Sequence, residues 1–363
     1  MLKKNTIAAI LIFFVAGLLI GKMVDHFITN PFSNDIQNQP HYDIEQNNVS
    51  KLLHINNQTD ITSTRNALIS YIWKEQGFPN YFPTKIEKNI TDPSFSNIEN
   101  LKQIDKIIVD MDYGVDSIVY LFHAENSNNK LVIYHQGHDG SFANGKESIK
   151  FFLQNHYSVL AFSMPLTGMN NQPVVYVENE GNIKLVSHNS LAYLDSDHFS
   201  PIRFFVEPLA ISLNYIDANY GFDEYDMVGI SGGGWTTTLY SAIDQRITQS
   251  YSVAGSLPLY LRNTQADMGD YEQTLPNLYR IANYLDLYTL DAYGNNRKHI
   301  QIFNKYDPCC FADPAFETYS GIIKSAINNL DGNGTFAVYV DDTHKEHKIS
   351  NHALEIILKS MKE

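Results

Sequence analysis

The hydrophobic pattern along the chain changes character near residue 106. Beyond it, short and almost wholly apolar runs alternate with stretches in which apolar residues recur every three or four positions. The short runs predict strands of a sheet covered on both faces, and the periodic stretches predict helices packed against it. Two β-rich runs, 106–111 and 115–122, flank Tyr113-Gly114 and predict an antiparallel hairpin. Strands are expected at 131–134, 158–162, 225–230, 247–253, 299–303 and 336–340, with helices at 146–155, 201–218, 232–243 and 351–361. A further helix at 64–73 is followed by proline-punctuated loops. Strands alternating with helices after an antiparallel start predict an α/β fold: a mostly parallel, doubly wound sheet with helices on both faces.

Two segments break this rhythm. Residues 173–187 predict a small hairpin turning at Glu180-Gly181-Asn182, and 262–297 predict a Tyr- and Leu-rich helical insertion. As insertions at about 165–200 and 262–297, both follow strand ends and overhang the carboxyl edge of the sheet, where ligands bind in this architecture. Either can wall a pocket or simply pack on the surface.

The start of the chain reads as an address. Lys3 and Lys4 precede an apolar run from Ile7 to Ile20, closed by Gly21-Lys22. Residues 1–24 are expected to be an uncleaved membrane anchor, or a signal peptide cleaved near Val15-Ala16-Gly17. Both send the remainder across the membrane, to a periplasmic or extracellular location. Residues 25–60 begin as a polar, Asn- and Gln-rich stretch without apolar period and are expected to form a tether, leaving 61–363 as the folded domain.

Composition narrows the partners. With 26 Lys+Arg against 40 Asp+Glu, the net charge is −14, and the basic residues are scattered. Such a surface repels phosphates, which excludes a nucleic-acid-binding role. The two cysteines, Cys309 and Cys310, are adjacent, so neither a disulfide scaffold nor a four-cysteine zinc site is available. A vicinal disulfide and a pair of thiols both remain open. Sequons at Asn48, Asn57, Asn89 and Asn333 carry no inference in a chain this rich in Asn.

The sharpest chemical signal is Gly229-Ile230-Ser231-Gly232-Gly233, a G-x-S-x-G run between an expected strand and an expected helix. A serine there occupies a tight turn that pushes its hydroxyl out at the start of a helix, as a nucleophile requires. The alternative, a glycine-rich phosphate-binding turn, lacks both the P-loop Lys-Ser/Thr pair and the Rossmann spacing.

The elbow, the hairpin start and the strand order together resemble the α/β-hydrolase fold, from about residue 106 to the C-terminus. That resemblance implies a triad in the chain order Ser, acid, His. Asp307, in the loop after the 299–303 strand, is the implied acid, with Asp313 as its rival. His347 is the implied base, ahead of His344 and of His352, which falls inside the last helix. The oxyanion donors implied are the backbone N–H groups of Gly232 and of His138, in the loop His135-Gln136-Gly137-His138-Asp139-Gly140. The resemblance further implies a serine hydrolase acting on a small-molecule or glycan-linked carboxylic ester through an acyl-enzyme. No cofactor is expected, and no metal, since no carboxylate–histidine run of metalloenzyme spacing occurs. An acyltransferase or serine peptidase using the same triad is the alternative activity. A non-catalytic binding module with this fold is the alternative outside enzymes.

Overall fold

The computed structural model describes residues 46–363, apart from 313 and 331. The expected export segment, most of the expected tether and the candidate Asp313 therefore lie outside the described residues. No helix among the described residues is long and apolar enough to cross a membrane.

Among the described residues, nine strands form one sheet: β1 (Lys85–Ile90), β2 (Leu101–Asp110), β3 (Asp116–Ala124), β4 (Lys130–His135), β5 (Ser158–Phe162), β8 (Glu224–Ile230), β9 (Ile247–Val253), β10 (Lys298–Asn304) and β11 (Thr335–Asp341). A separate hairpin holds β6 (Val174–Val177) and β7 (Gly181–Lys184). The sheet runs in the order β1-β2-β3-β5-β4-β8-β9-β10-β11. Its first three strands join by antiparallel pairing, and β3 meets β5 antiparallel. From β5 to β11 every pair is parallel.

The central strands are buried on both faces, which is why they read as continuous apolar runs. Along β4, Leu131 and Ile133 join one core while Val132 and Tyr134 join the other. The larger core packs against α1 (Gln58–Trp73), α3 (Arg203–Asn219), α4 (Gly232–Ile243), α5 (Tyr284–Ala292) and α6 (Glu317–Asn329). The smaller one is closed by α2 (Lys146–Gln154) and α7 (Asn351–Met361), through Ile149, Phe152, Leu354 and Ile357.

Four expectations change. The folded unit begins before residue 61: Val49 and Ile55 are buried in the core, and Asn57 caps α1, so 49–60 is structure rather than tether. β1 falls within the stretch read as proline-punctuated loop; Lys-Ile-Glu-Lys-Asn-Ile is an exposed edge strand with too little apolar content to signal itself. The small hairpin pairs Val177 with Gly181, so its turn is 178–180, upstream of the Glu180-Gly181-Asn182 expected. Asn179 (φ 70°) and Gly181 (φ 81°) both take positive φ there. The 262–297 insertion is broken into the short turns Gln265–Met268, Tyr271–Thr274 and Pro276–Ile281 before α5.

This topology places a site. The chain passes from β4 outward to β5, then returns across β4 to β8 and continues through β9, β10 and β11. The carboxyl ends of β4 and β8 therefore flank the switch point of the sheet, where loops diverge and leave a crevice.

Candidate active site

Ser231 sits between β8 and α4 with φ 55° and ψ −126°, a conformation L-residues rarely adopt. The turn is tight enough to require glycine two residues either side. A Cβ at Gly229 would lie 2.1 Å from the Gly233 carbonyl oxygen, and one at Gly233 would lie 2.2 Å from that of His135. The Ser231 N–H donates to Val253 O at 2.9 Å, tying the turn to β9. Gly232 opens α4, and first-turn N–H groups have no acceptor within their own helix.

Asp307 lies three residues past β10 and is buried. Its Oδ1 accepts the N–H groups of Cys309 (2.8 Å) and Cys310 (3.2 Å). Its Oδ2 accepts Asn304 Nδ2 at 3.1 Å and stands 2.8 Å from His347 Nδ1. Burial alone would raise this carboxyl; the hydrogen bonds from His347, Cys309 and Asn304 outweigh it and hold the group below the ordinary carboxylate range. Asn304 Nδ2 also donates to Lys348 O at 3.0 Å, so one amide couples the loop after β10 to the loop carrying His347.

His347 Nε2 is buried without a hydrogen-bond partner, and His347 and Ser231 line the same cavity, of about 410 Å³. The competing histidines are elsewhere engaged. His344 Nδ1 accepts the Glu346 N–H at 3.2 Å, and its Nε2 lies 3.4 Å from Asp341 Oδ2. His352 is exposed in the first turn of α7, whose cap is Ser350.

The loop after β4 presses onto the serine. A Cβ at Gly137 would fall 2.7 Å from Ser231 Cβ and 2.9 Å from Ile230 O. The His138 ring covers Gly232, whose Cβ would meet His138 Cε1 at 2.3 Å. Gly137 and the His138 ring thus both close in on the turn at Ser231. His135 turns away: it is buried, Nδ1 faces Gln136 O at 2.9 Å, and burial pushes it down to about 4, so the ring is neutral. Gln136 Nε2 and Asn144 Nδ2 donate to Asp139 Oδ1 (2.7 Å) and Asp139 O (2.8 Å), which holds the loop in shape.

The opposite walls come from features that local spacing did not reveal. Cys309 and Cys310 are joined by a disulfide that lines the cavity, so neither offers a thiolate to a metal. The 262–297 insertion contributes Asp270 and Gln273 to the cavity, whereas the β6–β7 hairpin contributes no lining residue. Its following turn brings His188 against His138, and Glu272 joins them. These partners are 50 and 134 positions from His138, a separation at which no sequence motif operates.

No family model matches the sequence, and no curated relative matches it. Solved structures do share its architecture. The acetyl xylan esterase 1 of Thermoanaerobacterium sp. JW/SL YS485 is 14% identical, with 88% of this chain and 98% of that one covered at a TM-score of 0.55. The glucuronoyl esterase of Solibacter usitatus is 12% identical, with 84% and 91% covered at 0.57. The acetyl xylan esterase of Paenibacillus sp. R4 is 15% identical, with 88% and 99% covered at 0.54. Likeness at such identities establishes the fold, and the chain has the α/β-hydrolase fold.

Proposed function

We propose that this chain is a serine hydrolase that cleaves carboxylic esters through Ser231, His347 and Asp307. One observation carries the reading: a serine on a left-handed strand-to-helix turn shares a cavity with an imidazole whose far nitrogen is held by a buried carboxylate. His347 Nε2 takes the proton of Ser231 Oγ as that oxygen attacks the carbonyl carbon. The carbonyl π electrons move onto oxygen, and the N–H groups of Gly232 and His138 donate hydrogen bonds to the resulting oxyanion. Collapse expels the alcohol, which leaves with the proton from His347. Water then repeats the attack on the acyl-enzyme and releases the acid. Asp307 accepts the Nδ1–H hydrogen bond throughout, without taking the proton, and stabilises the imidazolium. In the free protein His347 Nε2 has no hydrogen-bond partner, a contact that commonly tightens only with substrate bound.

A cavity of about 410 Å³ is at the small end for ligand sites, which favours a short acyl group on a larger leaving group. The names of the structural neighbours, acetyl xylan and glucuronoyl esterases, support an ester carried on a glycan. Residues 1–24 are proposed to export the domain, as an anchor or a cleaved signal, and the Cys309–Cys310 disulfide fits an oxidising compartment.

Turnover of p-nitrophenyl esters of increasing acyl length tests the reading. The expected result is kcat/KM falling as the acyl chain lengthens, with Ser231→Ala losing on the order of 10⁶ in rate. A Ser231→Ala chain that keeps a tenth of the activity refutes it.

A further inference from the structure

Beside the candidate active site, His138, His188, Asp270 and Glu272 converge so that one ligand atom from each lies within 4.8 Å of all the others. His138 Nε2 stands 2.9 Å from Glu272 Oε1, 3.1 Å from His188 Nδ1 and 3.3 Å from Asp270 Oδ2. His188 Nδ1 stands 3.2 Å from Glu272 Oε1 and 3.7 Å from Asp270 Oδ2. Bonds of ~2.0–2.1 Å to a tetrahedral zinc ion place its ligand atoms about 3.3 Å apart, and these separations scatter around that value.

The hydrogen bonds within this cluster leave the buried carboxylate of Glu272 short of donors. His188 Nε2 lies 3.1 Å from Pro165 O, a contact that needs a proton on Nε2 and leaves the Nδ1 lone pair of the neutral ring facing the cluster. That lone pair then meets both carboxylate oxygens of Glu272 at 3.2 Å. Glu272 is fully buried, and its Oε2 accepts no hydrogen bond. Among the described residues, neither carboxylate pairs with a lysine or arginine. Two carboxylates, the His188 lone pair and the His138 ring nitrogen converge on one point, an arrangement that a cation would satisfy. The Pro165 carbonyl does for His188 what outer partners do for metal-bound histidines, fixing tautomer and ring direction.

We propose that these four side chains bind one divalent ion of the zinc class. Two imidazole nitrogens with two carboxylate oxygens suit zinc and disfavour calcium and magnesium, which take oxygen alone. The ion would join three separated pieces of chain: the loop after β4, the turn at His188–Leu191 and the 262–297 insertion. Because the His138 ring lies over Gly232, the ion would also fix the loop that borders Ser231. Its role there is positioning, since none of the ligands is the proposed nucleophile, base or acid.

The full chain is stripped with a chelator and titrated with zinc, with bound metal counted by mass spectrometry after gel filtration. Cobalt(II) replaces zinc for absorption spectra. Wild-type protein should hold one equivalent and give the intense visible band of tetrahedral cobalt. Ser231→Ala should bind identically, which separates this outcome from the hydrolase reading. Glu272→Gln and His188→Ala should weaken zinc by at least ~100-fold, above the 10–100-fold usual for outer-shell partners. Asp270→Asn, at a half-exposed position that tolerates change, should weaken it about tenfold and serves if a buried variant does not fold. Wild-type protein that retains no zinc, or variants that bind as tightly as wild type, would overturn the proposal and leave a metal-free histidine–carboxylate network.

Discussion

Asp307 Oδ2 stands 2.8 Å from His347 Nδ1 across 40 residues of sequence, and the same oxygen accepts Asn304 Nδ2, whose second acceptor is the carbonyl of Lys348. The loops after β10 and β11 are thereby held as one unit, so the imidazole direction is set before any substrate arrives. That rigidity separates His347 from its neighbours in the loop.

The histidines can be told apart by alanine substitution. His347→Ala should remove nearly all turnover, because its imidazole is the proposed acceptor of the serine proton. His344→Ala and His352→Ala should each stay within about tenfold of wild type, since His344 is engaged within its own loop and His352 faces solvent. The check is kcat/KM of all three against one activated ester.

Acidification gives a second handle. Asp307 is held below the ordinary carboxylate range, so it stays charged where carboxylates begin to protonate. The acid limb of kcat/KM should then carry no contribution from Asp307 and keep unit slope on logarithmic axes. Asp307→Asn should lower kcat by on the order of 10⁴ by losing control of the tautomer. A slope of two in the wild-type profile would show that Asp307 titrates as well.

Backbone space around the serine makes a third prediction. Gly137→Ala puts a methyl 2.7 Å from Ser231 Cβ and 2.9 Å from Ile230 O, neither of which is a flexible side-chain end. The loop must retreat and take the His138 N–H with it. The expected loss is about 10²–10³ in kcat, the usual cost of one oxyanion donor, with KM changed far less.

How the chain folds was legible where local signals were strong. Short, continuous apolar runs, buried on both faces, marked strands such as β4 and β5 directly. Ser231 stood out because strand, glycines and helix adjoin in sequence. Asp307 and His347 were reached only through the chain order of a resembling family, since no local pattern links residues 40 apart. β1 stayed hidden because an exposed edge strand needs few apolar residues. The start of the folded unit was missed because the apolar residues from Val49 to Ile55 form too short a run, within Asn- and Gln-rich flanks, to show a period. The cluster around Glu272 was beyond sequence reading altogether, because its members meet only through tertiary packing.

Asp226 supplies a stability test away from the site. It is fully buried in β8, no side chain hydrogen-bonds its oxygens, and burial, with Glu224 nearby, outweighs the weak backbone contact from Gln249 and pushes its carboxyl well above the ordinary range. The folded state therefore keeps a proton that the unfolded chain releases. Stability linked to this group is fully present below the ordinary carboxylate range and is lost as pH rises through and above it. Asp226→Asn should raise Tm by a few degrees at neutral pH, with the gain shrinking as pH falls towards ~4. A gain independent of pH would contradict the assignment.

The turn at Ser231 stores strain, because φ 55° with ψ −126° costs a non-glycine residue ~1–3 kcal/mol. Ser231→Gly should thus be inactive yet more stable than Ser231→Ala, which keeps the strain. Denaturant midpoints of the two variants provide the comparison.

The most direct test of the central claim is covalent labelling with a fluorophosphonate, followed by mass spectrometry of the modified peptide. A single adduct on Ser231 is expected, formed at a rate that collapses in His347→Ala. Folded wild-type protein that takes no label, or takes it on another residue while Ser231 stays unmodified, would contradict it.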